Sequence, residues 1–475
     1  MFRTLLFLIL LSAFYPSIGQ TKKWEESIGW SGNDLELHSL SDKAGQTHCF
    51  FLVNEDSIRG LVVDGQQVII RQFQLGHLNR EKLLGGYIKE GKVYVFLEHR
   101  FPASLHNYTI DIATGNLSEN FVQTNFEHEK VIGRFNAGDH FLYFTLNKKT
   151  SDFIVYAWRD AQNVDTLQYH FADEEVWHDL SVSENFYRYV HVAWMDEAGD
   201  PEAETASIFN KIYLNGDSLI LIMNKNNGLS KVYTFDTKAK RVTYREIAHN
   251  KIGEQKLVQA GYVDNTFLRG NKLYFVSASE DRLVVQVLDF YNGKILRKFT
   301  TEREDSITFK NTPIFQDGPV PILYFTFHNT KQLEKTGQLL RKMVGATAVI
   351  SATDDSAGIA ITVGSFKQVT YANSGGGSWM STGGGGGSPP TMTYVPSGSF
   401  SRTTLTKVTH FRMSIDKQTL EHIPGEMQPS INDRIDDYTA GIKIPPNAEN
   451  LLNVPGGYLY IYYDRKMRKL VLTQF

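Results

Sequence analysis

The chain has 475 residues, of which 41% are hydrophobic and 21% are charged, an ordinary globular composition that allows one large domain or up to about three average ones. The formal net charge of −3 provides no overall basic surface, so we expect neither nucleic acid nor an anionic membrane surface as a partner. The 23 Tyr and 30 Phe, set among short Val, Ile and Leu runs, favour strands over helices.

The N-terminus, "MFRTLLFLILLSAFYPSIGQ", has the pattern of a secretory signal peptide. Arg3 precedes an apolar run that Pro16 ends, and the small residues Ser17 and Gly19 fit a cleavage site before Gln20. The run is too short for a membrane span. We therefore expect residues 1–19 to be removed and residues 20–475 to be an exported single domain without an integral span. In a Gram-negative bacterium it would lie in the periplasm, at the cell surface or outside the cell.

Cys49 is the single cysteine and lies in the apolar run "HCFFLV". An exported chain without an intramolecular disulfide depends on packing for its stability. We interpret Cys49 as a buried strand residue rather than as a catalytic thiol.

A Gly-containing turn followed by an apolar strand recurs seven times, as in "EGKVYVFLEH" and "RGNKLYFVSA". Four of the six intervals between these glycines are 46 to 54 residues, close to the roughly 40–50 residues of one propeller blade. The other two, of 78 and 138 residues, indicate insertions. The glycines are Gly45, Gly91, Gly138, Gly216, Gly270, Gly318 and Gly456.

A second pattern follows most copies: two strands joined by a polar turn, as in "VQVLDFYNGKILRKF". An aspartate at such a place caps the backbone N–H groups of its own turn, so we interpret these aspartates as structural rather than as ligands. They are Asp111, Asp236, Asp289 and Asp416.

Each unit thus consists of four strands, named A to D in chain order from the inner strand to the outer one. With these units the chain resembles a β-propeller over nearly all of residues 24–475. It has no tryptophan–aspartate repeat, no kelch double glycine and no quinoprotein blade motif, so no subfamily is identified. The resemblance implies an all-β fold of seven four-stranded blades, with eight as the alternative because an insertion could conceal a divergent blade.

The last unit lacks one strand, since the chain ends with "RKLVLTQF" as strand C. We predict that residues 24–30 supply the missing strand D, which closes the ring and covers edges that an open sheet would expose.

Two insertions interrupt the repeat, one at about residues 172–207 and one at about residues 332–404. The first lies between strand D of unit three and strand A of unit four. The second lies between strands B and C of unit six. In a propeller, B–C and D–A loops emerge on one face, here called the top face, so we predict that both insertions share it.

The second insertion is predicted to contain a protruding hairpin, "ATAVISATDDSAGIAITVGSF", and a Gly-rich stretch at residues 374–399. Glycines give reach, while aromatic side chains give contact area at low entropic cost, as in binding loops. The alternative is a loop that packs its aromatics on its own blade. The predicted partner-binding residues here are Trp379, Met380, Met392, Tyr394 and Phe400.

The first insertion is acidic, with ten Asp and Glu against one base, Arg188, in residues 172–206. Such a lobe suits a basic partner surface. Because no D-x-[DN]-x-[DN]-G loop occurs, we predict no metal site. The acids predicted to contact a partner are Glu197, Asp200, Glu202 and Glu204.

Motifs for chemistry are missing: the sequence has no G-x-S-x-G elbow, no H-E-x-x-H helix and no G-x-x-x-x-G-K-[ST] loop. His178 adjoins Asp179, but neighbours on a strand face opposite ways, so we do not interpret them as an acid–base pair. No catalytic residue and no cofactor is predicted.

Three functional classes remain, of which a small-ligand or metal sensor domain ranks last because such a domain is normally attached to a transmembrane or signalling segment. The first is an exported scaffold that binds a protein partner or a cell-envelope component through its top-face loops, for example as an accessory subunit of an envelope transport or secretion assembly. The alternative is a propeller hydrolase or lyase acting on polysaccharide or peptide from a central funnel. We favour the scaffold over the enzyme.

Overall fold

The computed structural model describes residues 20–28, 35–76, 81–100, 103–122, 128–181, 192–195, 201–224, 228–249, 261–322, 325–355, 358–373, 378–382, 391–395, 401–442, 446 and 448–475. These residues form seven sheets of four or five strands and one separate two-stranded sheet. The innermost strands of most neighbouring sheets contact one another around a central axis. The fold is the predicted all-β propeller, with each sheet as one blade.

Blades one to three have strand A nearest the axis and strands B, C and D following outward, all antiparallel. The first strand of the chain, β1 (Thr21–Ser27), belongs to blade seven. The strands of blades one to three are β2 (Glu36–Ser41), β3 (Thr47–Val53), β4 (Ser57–Asp64), β5 (Ile69–Gly76), β6 (Glu81–Lys89), β7 (Lys92–Arg100), β8 (Ala103–Asp111), β9 (Leu117–Val122), β10 (Glu129–Asn136), β11 (Phe141–Asn147), β12 (Asp152–Trp158) and β13 (Val164–His170).

Blade four has a fifth strand, because β14 adds to the inner side of its strand A in parallel orientation. Two helices flank β14: α1 (Glu174–Ser181) before it and α2 (Ala203–Ser207) after it. The strands of blades four and five are β14 (Val192–Met195), β15 (Asn210–Asn215), β16 (Ser218–Asn224), β17 (Leu229–Asp236), β18 (Arg241–Ala248), β19 (Val263–Arg269), β20 (Lys272–Ala278), β21 (Arg282–Asp289) and β22 (Ile295–Glu302).

Blade six is assembled out of chain order. The chain enters on its outer side through the second strand from the edge and forms the edge strand next. It then crosses to the axis through helix α3 (Thr336–Val344) and runs outward again. Its strands, in chain order, are β23 (Ile314–Ile322), β24 (Phe325–Leu333), β25 (Thr347–Asp354), β26 (Ile359–Asn373) and β29 (Ser401–Ile415); the separate two-stranded sheet, β27 (Ser378–Thr382) and β28 (Thr391–Val395), lies between the last two.

This arrangement differs from the prediction for unit six. The hairpin interpreted as a protruding excursion is β25 and β26, the two innermost strands of the blade, and β25 contacts β19 of blade five. The segment interpreted as inner strands, around Gly318, lies in β23 on the outer side, where it pairs with β29. The cause is a long-range pairing, which local turn chemistry does not reveal. The part of the insertion that continues beyond the pairing with β25 is residues 367–407, which include the Gly-rich stretch.

Blade seven closes the ring as predicted. It contains β30 (Glu449–Val454), β31 (Gly457–Asp464) and β32 (Lys469–Gln474), and β1 pairs with β32 as the outermost strand, with Trp24 opposite Leu472. Helix α4 (Ile431–Ala440) packs on this blade. The first residues of the described chain thus complete the sheet that the last residues begin.

Strand burial follows from the stacking of blades. In β3 the five consecutive residues from His48 to Leu52 are buried, because neighbouring blades cover both faces, whereas β5 alternates exposed and half-buried positions. Cys49 is one of the five, and burial raises the pKa of its thiol. The prediction of a buried strand cysteine is confirmed.

The predicted turn chemistry is present. Gly45 and Gly216 adopt positive φ, +65° and +59°, between strands A and B. The four predicted aspartates each accept backbone N–H groups of their own turn, with distances of 2.7 Å from Thr114 to Asp111, 2.8 Å from Ala239 to Asp236, 2.9 Å from Tyr291 to Asp289 and 2.7 Å from Thr419 to Asp416.

Candidate functional site

The acidic segment, residues 172–207, enters the central channel. After α1, its strand β14 pairs with β15 in parallel, so it runs from the top face toward the opposite face along the axis. Val192, Ala193 and Met195 are buried, while Trp194 is 44% exposed. An insertion predicted to be only a surface lobe therefore supplies part of the channel wall.

The second excursion is an arm that continues blade six beyond its neighbours. We define the arm as residues 367–407. Strands β26 and β29 stay paired in register from Ile359 opposite Ile415 to Asn373 opposite Ser401, and each has 15 residues. Since β25 ends its pairing at Phe366, the arm strands pair only with each other in the described chain. The arm leaves the blade on the top face.

Four of the five predicted binding residues of the arm lie on its distal two-stranded sheet. Trp379 pairs with Tyr394, Met380 with Thr393 and Ser381 with Met392. Directly opposed positions share a face of an antiparallel pair, so positions 379, 392 and 394 lie on one face and position 380 on the other. Phe400 lies outside the described residues.

The acidic segment and the base of the arm are in contact. Ala206 of α2 packs with Val349 and Phe366 in a buried cluster. Gln368 Nε2 donates a hydrogen bond of 3.1 Å to Glu204 Oε1. The two excursions predicted to share the top face are therefore joined there.

The four predicted acidic residues are only partly described. Glu202 precedes α2 as its N-cap residue and is exposed, and Glu204 contacts the arm. Glu197 and Asp200 lie outside the described residues. His178 lies on α1 and is exposed, so the segment around it is a helix rather than the strand assumed from the sequence.

A cavity of about 790 Å³ occupies the channel beside β14, toward the A–B turns. Blades one, two, three, four and seven line it. The A–B turn of blade one crosses its end: a Cβ added at Gly45 would lie 2.7 Å from Pro455, and one at Gly138 would lie 3.1 Å from Lys43. Turns of three blades therefore meet across the channel.

Most titratable side chains that line the cavity already have a hydrogen-bond or ion-pair partner within the protein. Asp42 Oδ1 accepts the Gln46 N–H at 2.8 Å, and Lys43 Nζ pairs with Asp139 at 3.0 Å. His38 Nε2 lies 3.2 Å from Glu36 Oε2, and burial lowers the pKa of His38. The described residues contain no group of three or more His, Cys, Asp or Glu that could hold a metal ion.

A buried lysine lies at the top of blades four and five. Lys211 Nζ donates to Asn265 Oδ1 at 2.8 Å, and no carboxylate of the described chain lies within ion-pair distance. Asn265 Nδ2 in turn donates to the carbonyls of Ser207 at 3.0 Å and Ala348 at 2.8 Å. Burial lowers the pKa of Lys211 to about 7. This network fastens the acidic segment to blades five and six.

Sequence reasoning missed Trp194 and Lys211. Trp194 stands in "VHVAWMDE", where nothing distinguishes a channel strand from a surface loop. Lys211 stands next to "IYL" at the start of a strand, and a lysine there is ordinarily exposed. Both depend on how the insertion folds back into the ring.

No family model matches the sequence, and no curated protein matches it. Among solved structures, the WD40 domain of SCAP from fission yeast is 8% identical, with 95% of this chain and 98% of that chain covered at a TM-score of 0.34. A mutant of Synechocystis apocarotenoid oxygenase is 10% identical over 59% of this chain and 64% of its own chain, at a TM-score of 0.29.

An uncharacterized protein from Listeria monocytogenes is 10% identical over 71% of this chain and 92% of its own, at a TM-score of 0.29. The chain thus spans less than two thirds of the length of the oxygenase mutant. These similarities identify no family, and the propeller assignment rests on the sheets described above.

No helix in the described part of the chain is long and apolar enough to cross a membrane.

Proposed function

We propose that this protein is a propeller scaffold that binds a protein partner through the arm and the acidic segment. The observation that carries the proposal is the pairing of β26 with β29, which continues out of the blade as far as Asn373 and Ser401. This two-stranded extension runs past Phe366, the last residue of β26 that pairs with β25, so it adds no further pairing to the inner strands of the blade. The arm strands pair only with each other in the described chain, so their outer edges and the distal sheet offer a surface for a partner.

The arm is held at its base, which supports recognition by a defined surface rather than by a free tether. Phe366 is buried against Ala206, and Gln368 is bonded to Glu204. A surface held in place loses less conformational freedom on binding. Positions 379, 392 and 394 on one face supply aromatic and Met contacts, the residue types that commonly dominate interface energy.

The acidic segment supplies the complementary charge. Its ten acids against one base suit a partner with a basic rim, which would mainly speed association and make it sensitive to salt. The partner we propose therefore carries an apolar groove bordered by Lys and Arg.

The enzyme alternative would need two or three carboxylates or histidines that converge in the channel. Of the described cavity lining, Asp42 and His38 are the groups of these types, and Asp42 caps its own turn. This lining favours the scaffold.

The deciding experiment replaces residues 374–400 with a short Gly/Ser turn. We expect the propeller to keep its melting temperature and to lose a specific partner from an affinity capture compared by mass spectrometry. The purified partner is then titrated against Trp379→Ala and Tyr394→Ala, each expected to weaken binding by about 2 kcal/mol. Thr393→Ala, on the opposite face, is the matched control.

Charge is tested separately with Glu202→Lys, which should slow association at low salt and leave dissociation nearly unchanged. Identical captured proteins for the wild type and the arm replacement would contradict the proposal and favour the enzyme.

We also propose export, as expected from residues 1–19. N-terminal sequencing of the protein from a cell-envelope fraction should begin near Gln20. An intact Met1 on that protein would contradict it.

A further inference from the structure

The central cavity contains an aromatic side chain that its strand does not bury. Trp194 is 44% exposed, whereas its neighbours Ala193 and Met195 are 3% and 4% exposed. Its ring lies against blade three at Gly133, where an added Cβ would be 2.9 Å from Trp194 Cε3. The absence of a side chain at this glycine lets the indole lie along the cavity wall.

Arg134, which follows Gly133 in the sequence, is a cation without an ion-pair partner among the described residues. Arg134 lines the same cavity and is half-buried, and within the described residues its guanidinium makes no hydrogen bond and no ion pair. Burial lowers the pKa of Arg134, while Tyr143, Glu36 and Glu98 raise it only through longer-range electrostatics. A partly desolvated guanidinium with free donors is costly unless an anion accepts from it.

The other charges of the lining do not compete for such an anion. Lys43 is paired with Asp139 at 3.0 Å. Burial lowers the pKa of His38, and its Nε2 already lies 3.2 Å from Glu36 Oε2. The carboxylate of Asp42 also lines the cavity and accepts the Gln46 N–H at 2.8 Å. Arg134 is the cation of the described lining that has no ion pair.

The remaining polar side chains of the lining are amides and the hydroxyls of Ser39 and Ser41. Asn136 Oδ1 accepts the Gly86 N–H at 3.0 Å, which leaves its amide NH₂ for a ligand. Ser39 Oγ donates to Asn450 Oδ1 at 2.5 Å on the blade-one side. Amides and hydroxyls that line one cavity together with an indole suit a ligand that has several hydroxyls and one apolar ring face.

We propose that this cavity binds an acidic sugar, with Arg134 donating two parallel hydrogen bonds to its carboxylate and Trp194 stacking on the sugar ring. The cavity of about 790 Å³ lies within the size range of small-molecule sites. The site is independent of the arm, so it stands or falls separately from the partner proposal.

The test titrates the full-length chain with D-glucuronate in low salt by isothermal calorimetry, beside D-glucose, which lacks the carboxylate, and acetate, which lacks the ring. Glucuronate should bind, with glucose and acetate at least about tenfold weaker. Arg134→Gln and Trp194→Ala should each lower glucuronate affinity about tenfold or more. Arg134→Lys should recover part of the affinity, because it keeps the charge but not the fork.

Lys43→Gln is the matched control, since it removes a cation of the same lining that is already paired. The affinity of this variant for glucuronate should stay within about twofold of the wild-type affinity. Near-ultraviolet circular dichroism checks that each variant is folded, and Trp194→Phe replaces Trp194→Ala if the latter is not. Absence of a saturable signal to about 10 mM glucuronate would overturn the proposal. So would equal affinity of Arg134→Gln and wild type, or equal binding of glucose and glucuronate.

Discussion

Gln368 donates its side-chain N–H to the carboxylate of Glu204 at 3.1 Å, across 164 residues of chain. The contact joins the arm of blade six to the acidic segment that precedes blade four. Beside it, Phe366 is buried against Ala206 and Val349. The two longest excursions of the propeller therefore form one top-face unit.

The first prediction is that packing rather than the hydrogen bond holds this unit. Phe366→Ala removes a ring that is 8% exposed and should lower the free energy of unfolding by about 3 kcal/mol. Gln368→Ala breaks a bond at the surface and should cost no more than about 1 kcal/mol. Chemical denaturation measures both; a larger loss for Gln368→Ala would reverse this assignment.

The second prediction concerns ring closure. Trp24 on β1 packs edge-on against Phe50 of blade one, with ring centroids 6.5 Å apart. Trp24→Ala should lower the free energy of unfolding by about 2 kcal/mol, and deletion of β1 should expose the edge of β32 and promote aggregation. Lys23→Ala, at an exposed position of the same strand, is the control and should change stability by about 0.5 kcal/mol at most.

The third prediction tests whether residues 346–366 belong to the blade. Ile361 is fully buried on β26, so Ile361→Ala should cost about 3 kcal/mol. Lys367→Ala, exposed on the same strand, should cost about 0.5 kcal/mol at most. If both variants melted like the wild type, the hairpin would be a dispensable excursion after all.

The fourth prediction follows from Lys211, whose pKa burial lowers to about 7. An unfolded lysine has a pKa of about 10.4, so between these values the unfolded chain binds the proton more tightly and stability rises with pH. The penalty of burying the charge is therefore full below pH 7 and vanishes above about pH 10.4. Lys211→Met removes it.

The stability of Lys211→Met relative to wild type should accordingly increase as pH falls from about 10 to about 7, by a total on the order of 4 kcal/mol, and then level off. The loss of the bond to Asn265 adds a pH-independent offset. Urea denaturation of both proteins across this range measures the difference. A constant difference would show that Lys211 titrates normally.

The fifth prediction is that Cys49 is unreactive while the protein is folded. Its side chain is fully buried in β3 and the pKa of its thiol is raised. Ellman's reagent should label it only at the rate of unfolding and completely in denaturant. Rapid labelling of the native protein would contradict the burial.

The sequence by itself determined the features that depend on neighbouring residues. The glycine of an A–B turn, such as Gly45, needs positive φ, and the aspartate of a C–D turn, such as Asp289, caps the N–H groups beside it. These requirements repeat with the blade, so the all-β propeller and the closure of its ring by residues near Trp24 could be predicted. Burial of Cys49 followed from its continuous apolar run.

Only the tertiary structure decided how distant segments pair. The order of blade six depends on Phe315 of β23 pairing with His410 of β29, 95 residues later, which moves the hairpin at residues 346–366 from surface to centre. The return of β14 into the channel likewise placed Trp194 beside Gly133 and enclosed Lys211. Turn chemistry and alternation act over a few residues, whereas the free energy that selects a strand's neighbours comes from apolar surface buried between blades.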